Sequence, residues 1–297
     1  MSDPVASTPS DVARSGPSGP LARGLIRFRR NRLAMTGLVL LAVFSLHALL
    51  APYLSPFGVA EVDFTQLRAG PSAEHWLGTD ELGRDTFTRV LYGARVSLTV
   101  GLGSVAIALL VGSVLGMAAG FIGGWFDEVV MRVMDATLAL PFLVLAISLA
   151  AILGPNLENT ILAIAVVSTP PFARITRGQV LAEKERDYIQ ASTALGARPI
   201  RTLFRHVLPN IVSLIFVQAS LAMAIAVLAE SALSFLGLGV QPPTPSWGSM
   251  LNTSRGYLGT QPWMAFSPGI AIFLVVLALN LVGDGLRDAF DPRVASR

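Results

Sequence analysis

Few residues in this chain could do covalent or redox chemistry. There is no cysteine, and the three histidines, His47, His75 and His206, are scattered along it. Without cysteine there is no thiol nucleophile, no thiolate metal site and no disulfide. The histidines form neither a Ser/His/Asp set nor a metal-ligand spacing. A phosphate-cradling loop requires G-x-x-x-x-G-K-[ST]. The only lysine, Lys184 in "AEKERD", has no glycine before it. The chain therefore does not hydrolyse ATP by that route, and any ATP chemistry its work needs belongs to another subunit. What remains are ionisable groups inside apolar stretches, the usual relays of proton- and ion-coupled carriers. These are His47, Asp135 and Glu230. Each is expected near the end of its stretch, where water reaches a snorkelling or capped side chain, with Glu230 the best candidate for an exception.

The elements that would carry such groups are membrane helices. Of the 297 residues 53% are hydrophobic and 14% charged, whereas a soluble domain carries roughly 25% charged residues. Six apolar stretches, at 33–53, 97–121, 133–153, 158–177, 210–235 and 266–285, each approach the roughly 20 residues a helix needs to cross hydrocarbon. Only helices satisfy their own backbone in lipid as open segments. The expected fold class is thus an all-α integral membrane protein with six transmembrane helices. Residues 1–22, rich in Ser, Pro, Gly and Ala, are expected to be a disordered tail. "RGLIRFRRNR" and the first apolar run then read as a retained signal-anchor, too long for a cleaved signal peptide.

Basic residues orient the spans. With the N-terminus inside, the inner segments hold Arg14, Arg23, Arg27, Arg29, Arg30, Arg32, Arg132, Arg174, Arg177, Lys184, Arg186, Arg198, Arg201, Arg205, Arg287, Arg293 and Arg297. The outer segments hold only Arg68, Arg84, Arg89, Arg95 and Arg255. Both termini are therefore expected in the cytoplasm, together with the largest loop, 178–209. Segments 54–96 and 237–265 would face outward. In the second span Ser104, Ala108, Gly112, Gly116 and Gly120 recur every fourth residue, a flat stripe that lets a neighbouring helix approach closely. The stripe does not name its partner.

The large loop contains "DYIQASTALGARPIRTLFRHVLPN", residues 187–210. Read as a helix over 181–195, it places Leu181, Tyr188, Ser192 and Leu195 on one face with Ile189 beside them, and Glu183, Lys184, Glu185, Arg186 and Asp187 on the other. Gly196 follows at the position of a left-handed cap, and Pro199 suits the first turn of a second helix. Ile200, Leu203, Phe204 and Val207 then recur at helical spacing, with Arg198, Arg201 and Arg205 off that stripe and Pro209 at the turn into the fifth span. Two short helices around a glycine corner could lie on anionic lipid or dock a cytoplasmic partner. The residues by themselves allow either.

The spacing resembles the cytoplasmic "EAA" motif of the inner-membrane permeases of ABC importers. Gln190-Ala191-Ser192 occupies the E-A-A positions, Gly196 the glycine and Leu208-Pro209 the closing pair. Gln190 stands where the family has Glu, Ser192 where it has the second Ala, and His206 where it has Ile. "HWLGTDELGRDTFTRVLYGARVSLTVG" (75–101), "AESALSFLGLGVQPPTPSWGSML" (229–251) and "NLVGDGLRDAFDPR" (280–293) are similar to the C-type permease of dipeptide, oligopeptide and nickel importers. The resemblance covers residues 23–293, leaving 1–22 and 294–297 as tails.

That resemblance implies a type I ABC importer permease fold (MetI-like) in a bacterial inner membrane. It implies a paralogous permease as partner, two ATP-binding subunits beneath that hold ATP and Mg, and an external substrate-binding protein. This chain would hold no cofactor or metal of its own and bind no nucleic acid. Asp187, Gln190, Ala191, Ser192, Leu195, Gly196, Pro199, Ile200, Leu203, Phe204, Leu208 and Pro209 would form the ATPase-coupling element, the apolar ones divided between the ATPase groove and the bundle. The outer segments would lie under the binding protein. Trp247 would be an interfacial anchor or part of that docking surface, and Asp80, Arg84 and Asp85 a structural charge cluster in preference to a direct substrate contact. No residue is singled out for substrate contact. An ion-coupled secondary carrier and a non-transporting membrane scaffold are the competing classes.

Overall fold

The computed structural model describes residues 20–290. The expected tails at 1–22 and 294–297 lie outside these residues, except that the first helix already begins at Pro20. Among the described residues every regular element is helical. Helix α1 (Pro20–Arg30) stops where Asn31 caps α2 (Arg32–Leu54), its side chain accepting from the Leu33 and Ala34 amides. Asp85 caps α3 (Thr86–Ile122) in the same way, accepting from the Thr88 amide at 2.7 Å. Gly123 and Gly124, both at positive φ, turn the chain into α4 (Gly124–Leu138). Then follow α5 (Phe142–Leu153), α6 (Leu157–Lys184), α7 (Asp187–Ala194), α8 (Pro199–Thr202), α9 (Leu208–Phe235), α10 (Trp247–Ser254) and α11 (Trp263–Phe290).

Among the described residues four helical stretches are long and apolar enough to cross a membrane: α2, α3, Pro199–Phe235 and α11. The pair α4–α5 adds a fifth if it is one span. The continuous span expected at 133–153 is therefore corrected. It is two helices bent by 92°, broken where Pro141 cannot continue the hydrogen-bond ladder. The stretch expected at 158–177 is the helix α6, but Pro170, Pro171, Arg174 and Arg177 dilute its apolar character. Its cations have structural partners at the end it shares with α3. Arg177 pairs bidentately with Asp127 of α4 at 2.5 and 2.6 Å, and Lys184 donates to the Gly120 and Phe121 carbonyls at the α3 terminus.

Helix α3 is the centre of the bundle and packs most extensively on α6. The small-residue stripe is that contact. A Cβ on Gly112 would come within 2.6 Å of the Thr169 carbonyl oxygen, one on Gly116 would overlap the Ala173 carbonyl, and one on Gly120 would meet Arg177 and Val180. Helix α3 also meets α2 and α9, the latter at Ser97 and Gly101, and α11 packs on both α2 and α9. Helix α1 tucks under the end of α11, with Phe28 buried beside Ala34 and Ala289.

The end of the bundle away from α7 and α8 is built on buried polar groups. Asp80 accepts from the Leu82 and Arg84 amides, pairs with the Arg84 guanidinium at 2.7 Å and reaches Arg89 at 3.3 Å. Asp85 also holds His75 at 3.0 Å. These residues hold the 55–85 segment to the start of α3, as a structural cluster would. Trp247 is neither an interfacial anchor nor a docking residue. It is fully buried, fits against Gly93 and donates from Nε1 to the Val90 carbonyl at 3.0 Å. Glu230, the candidate exception among the span-end ionisable groups, is 0% exposed. It lies between α9, α3 and α10, because the outer segment folds back over the end of α9 rather than leaving it open. Asp135 is exposed, as expected of a residue at a span end, and His47 is half-buried.

The glycine contact gives a direct test. Gly116→Leu should lower the stability of the detergent-purified protein by about 1–3 kcal/mol, the usual cost of overpacking. Gly269→Ala, where an added Cβ meets nothing within 4 Å, should leave it unchanged. Thermal unfolding followed by size-exclusion fluorescence measures both.

Candidate functional site at the loop between α6 and α9

The loop joining α6 to α9 is shorter and more sharply bent than a helix over 181–195 would make it. Helix α6 ends at Lys184, and α7 starts afresh at Asp187, which adds an acidic residue to its first turn. The break turns α7, so that Ile189 is buried and Leu195 is not. The stripe of Leu181, Tyr188, Ser192 and Leu195 is thus not the inward face. Gln190 and Ala191 are exposed, Ser192 half-buried, and Gln190 donates to the Glu185 carbonyl at 3.3 Å.

Gly196 adopts φ +81° just past α7. The Ala197 amide bonds back to the Ser192 carbonyl at 3.1 Å, the long bond of a Schellman cap. An added Cβ on Gly196 would meet nothing within 4 Å, so backbone strain alone selects glycine here. Pro199 then opens α8 after Arg198, as its missing N–H allows.

Residues Leu203–Val207 form a π-turn that runs into α9. The extra residue per turn splits the stripe read from the sequence. Leu203, Val207, Ile211 and Ile215 face the bundle and are buried, while Ile200 and Phe204 turn outward. Leu195, Ile200 and Phe204 are 88%, 64% and 55% exposed. The corner thus presents an outward apolar set on a seat whose inner side is packed. Asp187, Pro199 and Pro209 are exposed around it, and Leu208 is half-buried.

The loop is fastened by a polar node that the sequence pattern placed on the wrong face. Glu183, expected among the solvated charges, is buried at 8% exposure. Its Oε1 accepts from the Tyr188 hydroxyl and from Asn210 Nδ2 at 3.0 Å, and its Oε2 from Arg186 Nε at 3.2 Å. Asn210 also donates to the Tyr188 oxygen at 2.8 Å and to the His206 carbonyl at 2.9 Å. The Tyr188 and His206 rings meet edge to face at 6.3 Å. One carboxylate therefore ties α6, α7 and α9 together. The available signal was the pair Tyr188 and Asn210, polar residues that flank the corner beside apolar positions.

The loop between α6 and α9 thus presents an outward apolar corner on a pinned base. The sequence profile described as binding-protein-dependent transport system inner membrane component matches residues 112–296, and the N-terminal TM domain of oligopeptide transport permease C matches residues 19–71. The chain belongs to this permease family. It is similar to the dipeptide transport system permease protein DppC of Alkalihalophilus pseudofirmus, 46% identical over 93% of this chain and 91% of the relative. The di/tripeptide transport system permease protein DppC of Pseudomonas aeruginosa is 46% identical over 99% and 98%. The glutathione transport system permease protein GsiD of Pectobacterium atrosepticum is 44% identical over 91% and 90%. Members of the family are ABC transporter permease subunits, not enzymes, and this chain is a multi-pass membrane protein of that kind.

In this permease the Glu183 node has a pH signature. Burial first, and the bond to Glu183 second, push the Tyr188 hydroxyl above the ordinary tyrosine range. A pKa raised on folding stabilises while the proton is bound. The contribution is fully present below about pH 10 and is lost as pH rises through the raised value. Tyr188→Phe should remove about 1 kcal/mol or less of local stability, since the ring is partly exposed. Hydrogen exchange of residues 187–195 should be faster in the variant at pH 7, and the wild type should approach it only at strongly alkaline pH.

Proposed function

We propose that the chain is one of two paired permease subunits of an ATP-driven importer, carrying dipeptides, oligopeptides or glutathione-like peptides delivered by an external binding protein. The observation that carries this reading is the exposed apolar corner of Leu195, Ile200 and Phe204 on a loop whose other side is packed and pinned, in a member of the permease family. A free apolar corner of this kind has a use when a partner covers it. In this reading the partner is an ATPase subunit that binds ATP and Mg, with Gln190, Ala191 and Asp187 at its rim. ATP-driven closure of two such subunits moves the loop, and the loop moves α6 and α9.

The topology supports the reading. If the bent pair and α6 each cross beside the four long apolar stretches, the six crossings would bring α1 and the end of α11, which pack together, to the same side as the loop. That side is the one rich in Arg, hence the cytoplasm of a bacterial inner membrane. The far end, with α10 and the 55–85 segment, faces the binding protein. The substrate class follows the relatives named for dipeptide, di/tripeptide and glutathione transport. Gln190 keeps a hydrogen-bonding head at the position where the family carries Glu, so this contact to the ATPase would be made without a charge.

Reconstitution with the partner permease, both ATPases and the binding protein should give peptide uptake that depends on ATP. Uptake driven by an ion gradient without ATP would instead make the chain a secondary carrier, and no uptake under either condition would make it a scaffold. Leu195→Asp with Phe204→Asp should weaken ATPase retention on the purified complex at least about tenfold, the loss of one strong interface anchor. Gly196→Val should lose assembly or coupling while still inserting in the membrane. Normal transport by that variant would mean the glycine is not a coupling corner.

A further inference from the structure

Glu230 is a carboxyl group with no exposure, and no lysine, arginine or histidine among the described residues forms an ion pair with it. Its partners are hydroxyls. Ser97 of α3 donates to Oε2 at 2.7 Å, and Ser234 donates to Oε1 at 2.8 Å from one turn further along α9. The Ser246 hydroxyl, from the residue that caps α10, interacts with the same carboxyl. A buried polar group of this size costs several kcal/mol unless its bonds are made, so the three elements that supply the bonds are held to it and to one another.

The seam between α9 and α10 is close as well as polar. A Cβ on Gly248 would collide with the Ser231 carbonyl and would lie 2.8 Å from the Ser234 Cβ. Asn252 donates from Nδ2 to the Phe235 carbonyl at the end of α9. Trp247 reaches across to the Val90 carbonyl of α3. At its other end α9 continues without a break into the π-turn and the apolar corner. One helix thus joins the Glu183 node at the loop to the Glu230 node beneath α10.

We propose that Glu230 is a positioning residue that fastens α10 to the far end of α9, so that a displacement of the α7–α8 loop is delivered to α10 at the outer mouth. The fastening itself rests on contacts within this chain. Its role in transport rests on the importer reading above.

The chain has no native cysteine, so two spin labels can be placed without removing any. Ile225→Cys on α9 and Arg255→Cys just after α10 provide the pair, both exposed, in the assembled importer. The expected distance is narrow and identical in the nucleotide-free and ATP-trapped states. With Glu230→Ala it should broaden even without nucleotide, and uptake should fall about tenfold, the equivalent of one buried group left unpaired, while ATP hydrolysis persists. Glu230→Gln keeps an acceptor and should retain the narrow distance and most of the uptake. If the alanine variant does not assemble, Ser97→Ala and Ser234→Ala, each removing one donor, should give intermediate broadening. A wild-type distance in Glu230→Ala, or in both serine variants, overturns the proposal. So does a glutamine variant as impaired as the alanine one, or a wild-type distance that changes with nucleotide. Absence of ATP-driven uptake by the wild type would sink the importer reading alone, because the nucleotide-free distances still decide the fastening.

Discussion

The structure depends on the backbone-to-backbone approach of α3 and α6. Lipid tails are as apolar as leucine, so helices in a bilayer gain little from burying apolar side chains and much from close van der Waals fit. Gly112, Gly116 and Gly120 remove the side chains that would hold the two helices apart. Once α6 lies in that groove, Arg177 reaches Asp127 and Lys184 reaches the last carbonyls of α3. The end of α6 is thereby set, and with it the point from which the loop departs.

From there the loop is governed by one buried carboxylate. Apolar packing is non-directional and would let α7 slide over the end of the bundle. Glu183 prevents this by taking donors from Tyr188, Asn210 and Arg186 at once. The π-turn at Leu203–Val207 is a second constraint, since it decides which apolar residues fill the bundle and which are left for a partner. At the opposite end of α9 the Glu230 carboxyl holds hydroxyls from α3 and α9. Helix α9 thus carries a polar fastening at each end and apolar contacts between.

Much of this organisation was legible in the residues. The stripe from Ser104 to Gly120 was readable as a packing face because small residues every fourth position have few other uses in a long apolar helix. Gly196 and Pro199 were readable as a corner because each is required or favoured by one backbone geometry. The burial of Glu183 and Trp247 was not, and Glu230 stood out only as the candidate exception among the span-end ionisable groups. A lone Glu in a sequence carries no mark of whether hydroxyls from other elements surround it, and a Trp near a span end looks the same whether it faces lipid or a glycine of the next helix. The break at Pro141 was visible as a proline, yet its 92° bend was not.

The amino-acid sequence by itself determined that the chain is helical and membrane-spanning, that most of its basic residues fall in a few of the segments between apolar stretches, that it lacks the groups for ATP hydrolysis by a phosphate-binding loop, and that a glycine corner sits in its largest polar loop. These follow from composition, periodicity and local backbone preference, which act over a few residues. Only the tertiary structure decided that α6 is the partner of the glycine stripe, that Leu203 faces inward while Leu195, Ile200 and Phe204 face outward, and that two buried glutamates bracket α9. Those outcomes depend on contacts between residues far apart in the chain, and on a single extra residue in a helical turn, which no periodicity counted at 3.6 residues per turn reveals.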